Sequence, residues 1–468
     1  MSFVIYDLET SGLEPQWNVP LQAALIHTDE NLVPLAEISL RCRLPAHIVP
    51  SPGALLTTGV RPEQLEQAPL SLTEMLNVIA KALASSAPAT VIGYNTIRFD
   101  EEVLRHAFFT HLLPPYATQL NGHRRADLLT MVRAVAMLEP AALTVPLGAT
   151  GKPSFKLGDI CRANGIGLSE DEAHDALADT RATLVLFRHL REVAPVTVAT
   201  LLGLADKGLP NRMLAGGEVL LLGGASRLTP VVGVTVNPTV ATSWAAVDLT
   251  VDPASYLELP SEEIIALFSQ RGVRPIRTIK TNAQPILVSY EQGCHALLPD
   301  QRDLALYNER AARIREHASF GSNLATALAN RFADREPSPY PEATLYGGGF
   351  LSNDDARASA RWHASPWSDR AAIAAGFSDE RLKAFANRLT LLEAPQSLSP
   401  AGWQKGQAWL RERLTTQADV PWLTLPKALS EVVTLRQTLP ADHAARHAHL
   451  DAIERWLNEQ NRFFRLAA

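Results

Sequence analysis

The chain has 468 residues, 46% hydrophobic and 20% charged, with a formal net charge of −6. This length predicts about three domains, and the composition is typical of a soluble globular protein with sizeable apolar cores. The acidic balance gives no sign of nucleic-acid binding, although it does not exclude a local basic groove. The three cysteines, Cys42, Cys161 and Cys294, lie far apart, which argues against a disulfide framework or a cysteine zinc site and suits a reducing compartment. We find no signal peptide and no apolar stretch of membrane-spanning length, so we expect a cytoplasmic protein that does not contact a membrane.

The first ten residues combine an apolar β run, Phe3 to Tyr6, with two acids, Asp7 and Glu9. Side chains two residues apart on a strand point to the same face, so these carboxylates repel each other. A hard divalent cation is the commonest reason to keep such a pair. An edge strand with two solvated acids remains an equal alternative for this motif alone. The next residues turn the chain, and Gly12 is expected to allow a positive φ.

Three short strands open the chain, because Leu21–His27 and Ile38–Cys42 follow the first apolar run and complete an antiparallel meander. Arg43–Gln67 is rich in proline and is predicted to be irregular. Val91–Asn95 reads as a buried strand that leads to Asp100. Helices are predicted from Ser71 to Leu83, Glu101 to Thr110, Asp127 to Leu138, Phe155 to Asn164 with Ser154 as its cap, and Asp175 to Arg191. This alternation indicates an α/β domain.

The pattern changes twice after Pro195. A β-rich stretch has strand candidates at Val231–Val236, Trp244–Asp248 and Pro285–Ser289. Beyond Gly349 only amphipathic helical patterns remain. We therefore expect three domains, spanning residues 1–195, 196–344 and 345–468.

Four acids, Asp7, Glu9, Asp100 and Asp179, each stand where an element begins or ends. Taken singly, Asp100 could be a helix N-cap and Asp179 a solvated helical residue. Together they suggest a site for two divalent ions, which can clamp an in-line displacement at phosphorus. Carboxylate ligands favour Mg²⁺, or Mn²⁺, over zinc.

His174 is the candidate general base. It precedes Asp175, a good N-cap, so it would stand on a loop at the rim of the acid site. A neutral imidazole near a metal-activated water can accept a proton at physiological pH. The alternative is a surface histidine, one of thirteen in the chain.

Three segments resemble the motifs of the DEDD (DnaQ-like) 3′-to-5′ exonucleases of the histidine subclass: Asp7-Leu8-Glu9-Thr10, Asn95 to Asp100, and His174 to Asp179. The resemblance extends to the bacterial exodeoxyribonuclease I family through Tyr94–Val103, Pro153–Leu157, Ala163–Ile166, Ala173–Asp179 and Leu345–Phe350. It implies a ribonuclease-H-like exonuclease domain, then a small SH3-like β-barrel domain and an all-helical C-terminal domain. These would form a clamp around single-stranded DNA.

The resemblance also implies a function. The expected activity is processive 3′-to-5′ hydrolysis of single-stranded DNA to 5′-mononucleotides with two Mg²⁺ ions. The expected partner is the C-terminal tail of single-stranded-DNA-binding protein, and a clamp-shaped chain is expected to be a monomer.

The same resemblance assigns roles to residues. Asp7, Glu9, Asp179 and Asp100 would hold metal, and His174 would be the base. DNA contacts would come from Glu9 and from four residues outside the acid set, namely Lys156, Arg105, Tyr116 and Arg133. Their chemistry suits phosphates and bases, and Lys156 replaces a family arginine. Arg105 and Arg133 could instead be solvated helix residues, and Tyr116 a loop anchor.

Two rival functions stay open at this stage. The first is an exonuclease of the same fold that trims RNA or proofreads for a polymerase. The second is a non-catalytic DNA-binding module, which has no physical reason to keep four like charges together.

Overall fold

Two five-stranded sheets and a helical C-terminal region make up the structure. The computed structural model describes residues 2–167, 175–332 and 336–466. The first sheet contains β1 (Ser2–Thr10), β2 (Pro20–Thr28), β3 (Pro34–Arg41), β4 (Ala89–Gly93) and β5 (Arg124–Asp127). Its helices are α1 (Pro52–Thr58), α2 (Pro62–Gln67), α3 (Leu72–Ser85), α4 (Asp100–Thr110), α5 (Leu128–Leu138), α6 (Leu157–Ala163), α7 (Ala176–Val193) and α8 (Pro195–Gly203).

The first sheet has the order β3-β2-β1-β4-β5. β1, β2 and β3 form the predicted antiparallel meander, while β4 and β5 run parallel to β1. The carboxyl ends of β1, β4 and β5 therefore meet at one edge, which is where functional residues gather in parallel arrangements. β1 extends to Thr10, so both acids of the motif lie inside the strand.

The alternation along β1 decides which helices face the acids. Val4 and Tyr6 belong to a core with α3 and α4, whereas Phe3 and Ile5 pack on the other face, against α5 and α7. Phe3 contacts Phe187 of α7 edge to face, with ring centres 5.2 Å apart. Odd-numbered side chains of β1 share that face, so the two acids of β1 point toward α7.

Three local predictions were wrong. The Pro-rich stretch 43–67 contains α1 and α2, each with a proline in its first turn, where the missing N–H costs nothing. Lys156, not Ser154, is the N-cap of α6. Gly12 does not need a positive φ; instead, a Cβ there would lie 2.7 Å from the Asn18 side chain.

The second sheet is antiparallel, with the order β10-β6-β7-β8-β9. Its strands are β6 (Leu220–Gly223), β7 (Leu228–Val236), β8 (Ser243–Asp248), β9 (Ile276–Lys280) and β10 (Leu287–Ser289). The neighbouring helices are α9 (Gly208–Ala215), α10 (Ser261–Leu267), α11 (Tyr290–Gly293), α12 (Leu304–Glu316) and α13 (Phe320–Asn330). One apolar cluster joins the two sheets, since Leu220 of β6 and Leu287 of β10 belong to the same cluster as Leu201 of α8.

The C-terminal region is helical, as predicted. It comprises α14 (Asn353–Ala364), α15 (Trp367–Ala375), α16 (Glu380–Glu393), α17 (Pro400–Thr415), α18 (Leu425–Thr438) and α19 (Ala444–Leu466). α18 and α19 share a core with α1, and Phe385 of α16 packs on Phe109 of α4. The exact domain boundaries stay a prediction. No helix within the described parts of the chain has both the length and the apolar character to cross a membrane.

Candidate active site

Three carboxylates meet at the edge of the first sheet. Asp7, Glu9 and Asp179 each offer an oxygen atom, and these oxygens lie within 4.8 Å of one another. The two strand acids come from one face of β1, and Asp179 comes from the first turn of α7, which packs on that face. This spacing suits a divalent cation held between the side chains. The structure therefore brings together three of the four acids that the sequence singled out.

Burial makes this cluster costly to ionise. Burial, and then the charges of Asp179 and Asp100, raise the pKa of Glu9 to about 9. Burial and the charges of Asp100 and Glu9 also raise the pKa of Asp7 well above its usual range. Like charges in a low-dielectric site favour protons or a cation as counter-ions. The cluster has the electrostatics of a cation site.

Asp100 plays a different structural part. It is the first residue of α4 and is 6% exposed. Its Oδ1 accepts a hydrogen bond of 3.2 Å from the backbone N–H of Leu8, which lies between the two acids of β1. Burial raises the pKa of Asp100 to about 7, although this backbone hydrogen bond opposes the shift. Asp100 is not among the three clustered ligands, but it holds the strand that carries two of them.

Asp175 fixes the start of α7. Its Oδ1 caps the helix by accepting from Leu177 and Ala178, and its Oδ2 accepts from Gln22 at 2.8 Å and Arg41 at 3.1 Å. This confirms the predicted N-cap and joins α7 to β2 and β3. His174, the predicted base, lies outside the described residues.

Asp127 is a residue whose role the sequence analysis missed. Its carboxylate caps α5 and also accepts from the backbone N–H groups of Asn95 and Ile97, at 3.0 and 3.1 Å. These contacts hold the turn before Asp100, in which Asn95 has a φ of 65°. An Asp before an apolar helical run signals a cap, but no local pattern signals contacts made 30 residues away.

A cavity of about 580 Å³ opens beside Glu9. Leu8, Thr10 and Phe99 line it from the first sheet, while Leu439 and Arg446 line it from the C-terminal helices. Glu431 of α18 holds the two sides together, because its Oε1 accepts from the Ser51 hydroxyl at 2.7 Å and from the Gly53 N–H at 2.9 Å. The volume lies within the range of small-molecule sites.

Two of the predicted DNA contacts lie near α6. Lys156 is exposed at the N-cap. Arg133 is half-buried, and its guanidinium carbon lies 5.6 Å from the centre of the Phe155 ring. Tyr94 anchors this segment by donating a hydrogen bond of 2.5 Å to the carbonyl of Phe155.

Arg105 and Tyr116 lie together elsewhere. Arg105 is only 7% exposed; it pairs with Glu101 at 2.8 Å and donates to the Tyr346 hydroxyl at 3.0 Å. Its guanidinium carbon lies 5.3 Å from the centre of the half-buried Tyr116 ring. The structure thus places Arg105 inside an ion-pair network behind Tyr116, and its direct contact with DNA stays a prediction.

Comparison with known families defines the class of protein. The sequence matches the family model described as Exonuclease over residues 4–187. It also matches the family model described as Exonuclease I C-terminal domain over residues 339–460. The first match contains β1, α4 and the start of α7, which carry the acid site. The protein is an exonuclease.

Curated relatives and solved structures name a narrower group. Exodeoxyribonuclease I of Haemophilus influenzae is 29% identical over 407 residues, which cover 81% of this chain and 84% of the relative. The Escherichia coli enzyme of the same name is 27% identical over 446 residues, which cover 88% of this chain and 89% of the relative. Exonuclease I from Methylocaldum szegediense superimposes with a TM-score of 0.89 at 26% identity, over 98% of this chain and 99% of that structure. Escherichia coli exonuclease I in complex with a dA16 oligonucleotide superimposes with a TM-score of 0.85 at 25% identity, again over 98% of this chain and 99% of that structure. This chain is therefore similar to exodeoxyribonuclease I over most of its length.

Proposed function

We propose that this chain degrades single-stranded DNA from its 3′ end and releases 5′-mononucleotides. The observation that carries this proposal is the cluster of Asp7, Glu9 and Asp179 beside a cavity of nucleotide size. The relatives named exodeoxyribonuclease I and the neighbour bound to a dA16 oligonucleotide support the choice of substrate. We propose processive action because one solved neighbour is described as suggesting how processivity is achieved.

Two Mg²⁺ ions, for which Mn²⁺ could substitute, are the proposed cofactors. Asp7, Glu9 and Asp179 would hold them, because hard cations prefer carboxylate oxygens and the set contains no histidine or cysteine. When bound, such ions activate the attacking water and stabilise the leaving oxygen at phosphorus. Asp100 completes the acid set by keeping the acid strand in register, and a direct metal contact by Asp100 stays a prediction.

The proton-transfer role is proposed for His174. Its neighbour Asp175 is the N-cap of α7, and the N–H of Asp179 donates to the Asp175 carbonyl at 3.0 Å, so the residue that follows His174 lies one helical turn from the acid cluster. A neutral imidazole is the ordinary side chain for accepting a proton near pH 7.

The substrate strand is proposed to run over residues around the site. Glu9 borders the cavity that would take the terminal nucleotide. Lys156 and Arg133 would neutralise phosphates, and Tyr116 would stack on a base. Arg105 would act by supporting Tyr116, given its burial and its position behind that ring.

The larger architecture is proposed on the same basis. The five antiparallel strands of the second sheet support an SH3-like barrel. With the exonuclease and helical regions, divided near residues 195 and 344, it would form a clamp around the strand. We propose a monomer whose partner is the C-terminal tail of single-stranded-DNA-binding protein. The free cysteines, of which Cys42 and Cys161 are buried, suit a cytoplasmic location.

A digest of end-labelled oligonucleotides tests the proposal. Substrates labelled at the 3′ or 5′ end are offered as single strands, as duplexes and as RNA of the same length, with Mg²⁺ and then with EDTA. We expect mononucleotide release from the 3′ end of single-stranded DNA, lost in EDTA and restored by Mg²⁺. Preference for RNA, or release of label from the 5′ end first, would refute the proposed substrate or direction.

A further inference from the structure

A second cavity lies far along the chain, among the C-terminal helices, where α16, α17 and residues 340–342 line it. Its volume is about 650 Å³. Tyr340, Trp409 and Trp422 supply aromatic walls, and Arg388 and Arg413 lie at its lining. None of the acid-site residues belongs to it. Its size and apolar, aromatic walls are those of a small-molecule site.

The cations of this cavity outnumber its carboxylates, and the two arginines among them are buried. The side chains of Arg388 and Arg413 are 9% and 6% exposed. Both approach the same oxygen, Oε1 of Glu342, at 2.7 and 3.4 Å. Lys405 and Glu412 at the rim balance each other, so the lining keeps one excess positive charge. Burial lowers the pKa of Arg413 to about 10, which still leaves it protonated at neutral pH.

Arg413 also has an unused donor. Its Nε is buried and has no hydrogen-bond partner among the described residues. Three indole rings surround its guanidinium carbon, with centres 4.2 Å away for Trp422, 5.6 Å for Trp17 and 6.0 Å for Trp409. Rings attract a cation but do not accept a strong N–H hydrogen bond, so the charge of Arg413 is only partly compensated by its surroundings. The excess positive charge of the lining therefore favours an anion as the ligand.

The helix geometry directs three of these groups into one space. Lys405, Trp409 and Arg413 are spaced by four residues on α17 and therefore share one face. A guanidinium pair suits a phosphate, and an indole face suits a planar base. A ligand that offers a terminal phosphate and an aromatic ring would satisfy both. A phosphodiester inside a continuous strand would have to bury both flanking sugars to reach cations exposed by less than a tenth.

We propose that this cavity is a second binding site, which takes a free nucleoside 5′-monophosphate with its phosphate on Arg388 and Arg413 and its base against Trp409. The choice of ligand rests on the proposed function, because that reaction would release such molecules. The site itself needs neither metal nor turnover. It would bind product away from the acid cluster.

Binding of dAMP to the full-length chain in EDTA tests the proposal, by titration calorimetry and by tryptophan fluorescence. We expect saturable binding, and Trp409→Ala should weaken it by about tenfold, the usual effect of losing one stacked ring. Lys405→Glu should weaken it as well. Trp403→Ala is the matched control, since Trp403 is on the same helix and 42% exposed but does not line the cavity.

Several results would overturn the proposal. The first is binding of dAMP that does not saturate, and the second is a loss of dAMP affinity in Trp403→Ala equal to that in Trp409→Ala. The third is equal affinity for dAMP and for deoxyadenosine, which lacks the phosphate. The fourth is Trp409-dependent binding of an unphosphorylated oligonucleotide that is tighter than binding of dAMP, which would make the cavity part of a DNA path. Arg413→Gln adds a direct test of the anion contact, while the two exposed positions keep the test valid if that variant does not fold. Because the binding experiment measures no turnover, an absence of dAMP binding would not affect the result of the oligonucleotide digest. A negative digest would likewise not affect the binding result.

Discussion

The side-chain oxygen of Gln284 accepts a hydrogen bond of 2.6 Å from the backbone N–H of Asp127. Gln284 comes from the loop before β10, is 2% exposed and has a left-handed φ of 48°. Its amide donates to the carbonyl of Leu201 at 2.9 Å. A non-glycine residue in this conformation costs about 1 kcal/mol, so the two hydrogen bonds must hold it there. The second sheet therefore braces the residue that orders the turn before Asp100.

We expect Gln284→Ala to lower kcat even on a substrate too small to touch the second sheet. The variant leaves the Asp127 N–H and the Leu201 carbonyl without these partners, at a cost of about 1–3 kcal/mol. Asp127 would then hold Asn95 less firmly, and Asp100 would lose its fixed position. The p-nitrophenyl ester of thymidine 5′-phosphate, which contains one nucleoside and one scissile bond, separates this effect from weaker DNA binding.

Asn237→Ala is the control for Gln284→Ala. Asn237 lies in the second sheet region and donates to the Leu328 carbonyl at 3.2 Å, and within the described residues its other side-chain hydrogen bonds go to Thr239 and Val240. We expect it to lose stability but keep its kcat on the small substrate. Equal kcat values for both variants and the parent protein would contradict the positioning role of Gln284.

The metal-free protein should lose stability as the pH rises. The pKa of Glu9 is raised from 4.5 to about 9 and that of Asp100 from 3.8 to about 7. Between these values the folded state binds more protons than the unfolded state, so the slope of unfolding free energy against pH is negative. Each group contributes at most about 1.4 kcal/mol per pH unit. Urea unfolding in EDTA from pH 5 to 9 measures this slope.

Glu9→Gln should flatten that dependence, because the amide is neutral at every pH, and should raise the metal-free stability at pH 8. Glu63→Gln, which changes an exposed glutamate of α2, should leave the slope as it is. A parent protein whose stability in EDTA rises steadily between pH 5 and 8 would show that the acids are not held protonated.

The acid cluster could be predicted from the sequence because its members carry local signals. Asp7 and Glu9 follow an apolar run with the period of a strand, and Asp179 lies one turn after Asp175, which precedes a helical pattern as a cap. A strand meander and a helix that packs on one of its faces then bring Asp179 to β1. In each of these cases the position of the acid follows from the periodic pattern of apolar residues beside it.

The supports of the site could not be predicted in this way. β5 has only four residues, Arg124–Asp127, and lacks an apolar pattern, so it reads as part of a loop. The contact between Asp127 and Gln284 joins positions 157 residues apart and requires the relative placement of two sheets. Arg105 has the appearance of a solvated helix cation in the sequence, and only the fold shows that it is buried. A tertiary contact between two single polar groups produces no periodic pattern in the sequence.

Asp7→Asn should abolish cleavage while the protein stays folded. The substitution removes one of the three clustered carboxylates and also relieves repulsion in the metal-free state. In the parent protein, Mg²⁺ at 100 times its Kd should stabilise the fold by about 2.7 kcal/mol. The variant should show a much smaller Mg²⁺-dependent rise in Tm. Cleavage at the parent rate would exclude Asp7 from the site.

The Glu101 carboxylate links α4 to β5 and to the 3-10 turn Ala117–Gln119, and its loss should affect both stability and DNA binding. Glu101 is 1% exposed; its two oxygens accept from Arg105 at 2.8 Å, from Arg125 at 2.7 Å and from the Thr118 hydroxyl at 2.7 Å. Removing one partner from a buried ion pair costs about 3–5 kcal/mol, because the remaining charges stay buried. We expect Glu101→Gln to unfold at a correspondingly lower urea concentration.

Glu101→Gln also shows whether Arg105 supports Tyr116 or contacts DNA directly. If Arg105 supports Tyr116, Glu101→Gln should raise the KM for long single strands, while the small thymidine ester keeps its KM. Glu380→Gln, which breaks an exposed pair with Lys383, should change neither stability nor KM appreciably. A rise in KM for both substrates would instead place the effect at the acid cluster. An unchanged KM for long strands would remove Tyr116 and its supporting network from the DNA path.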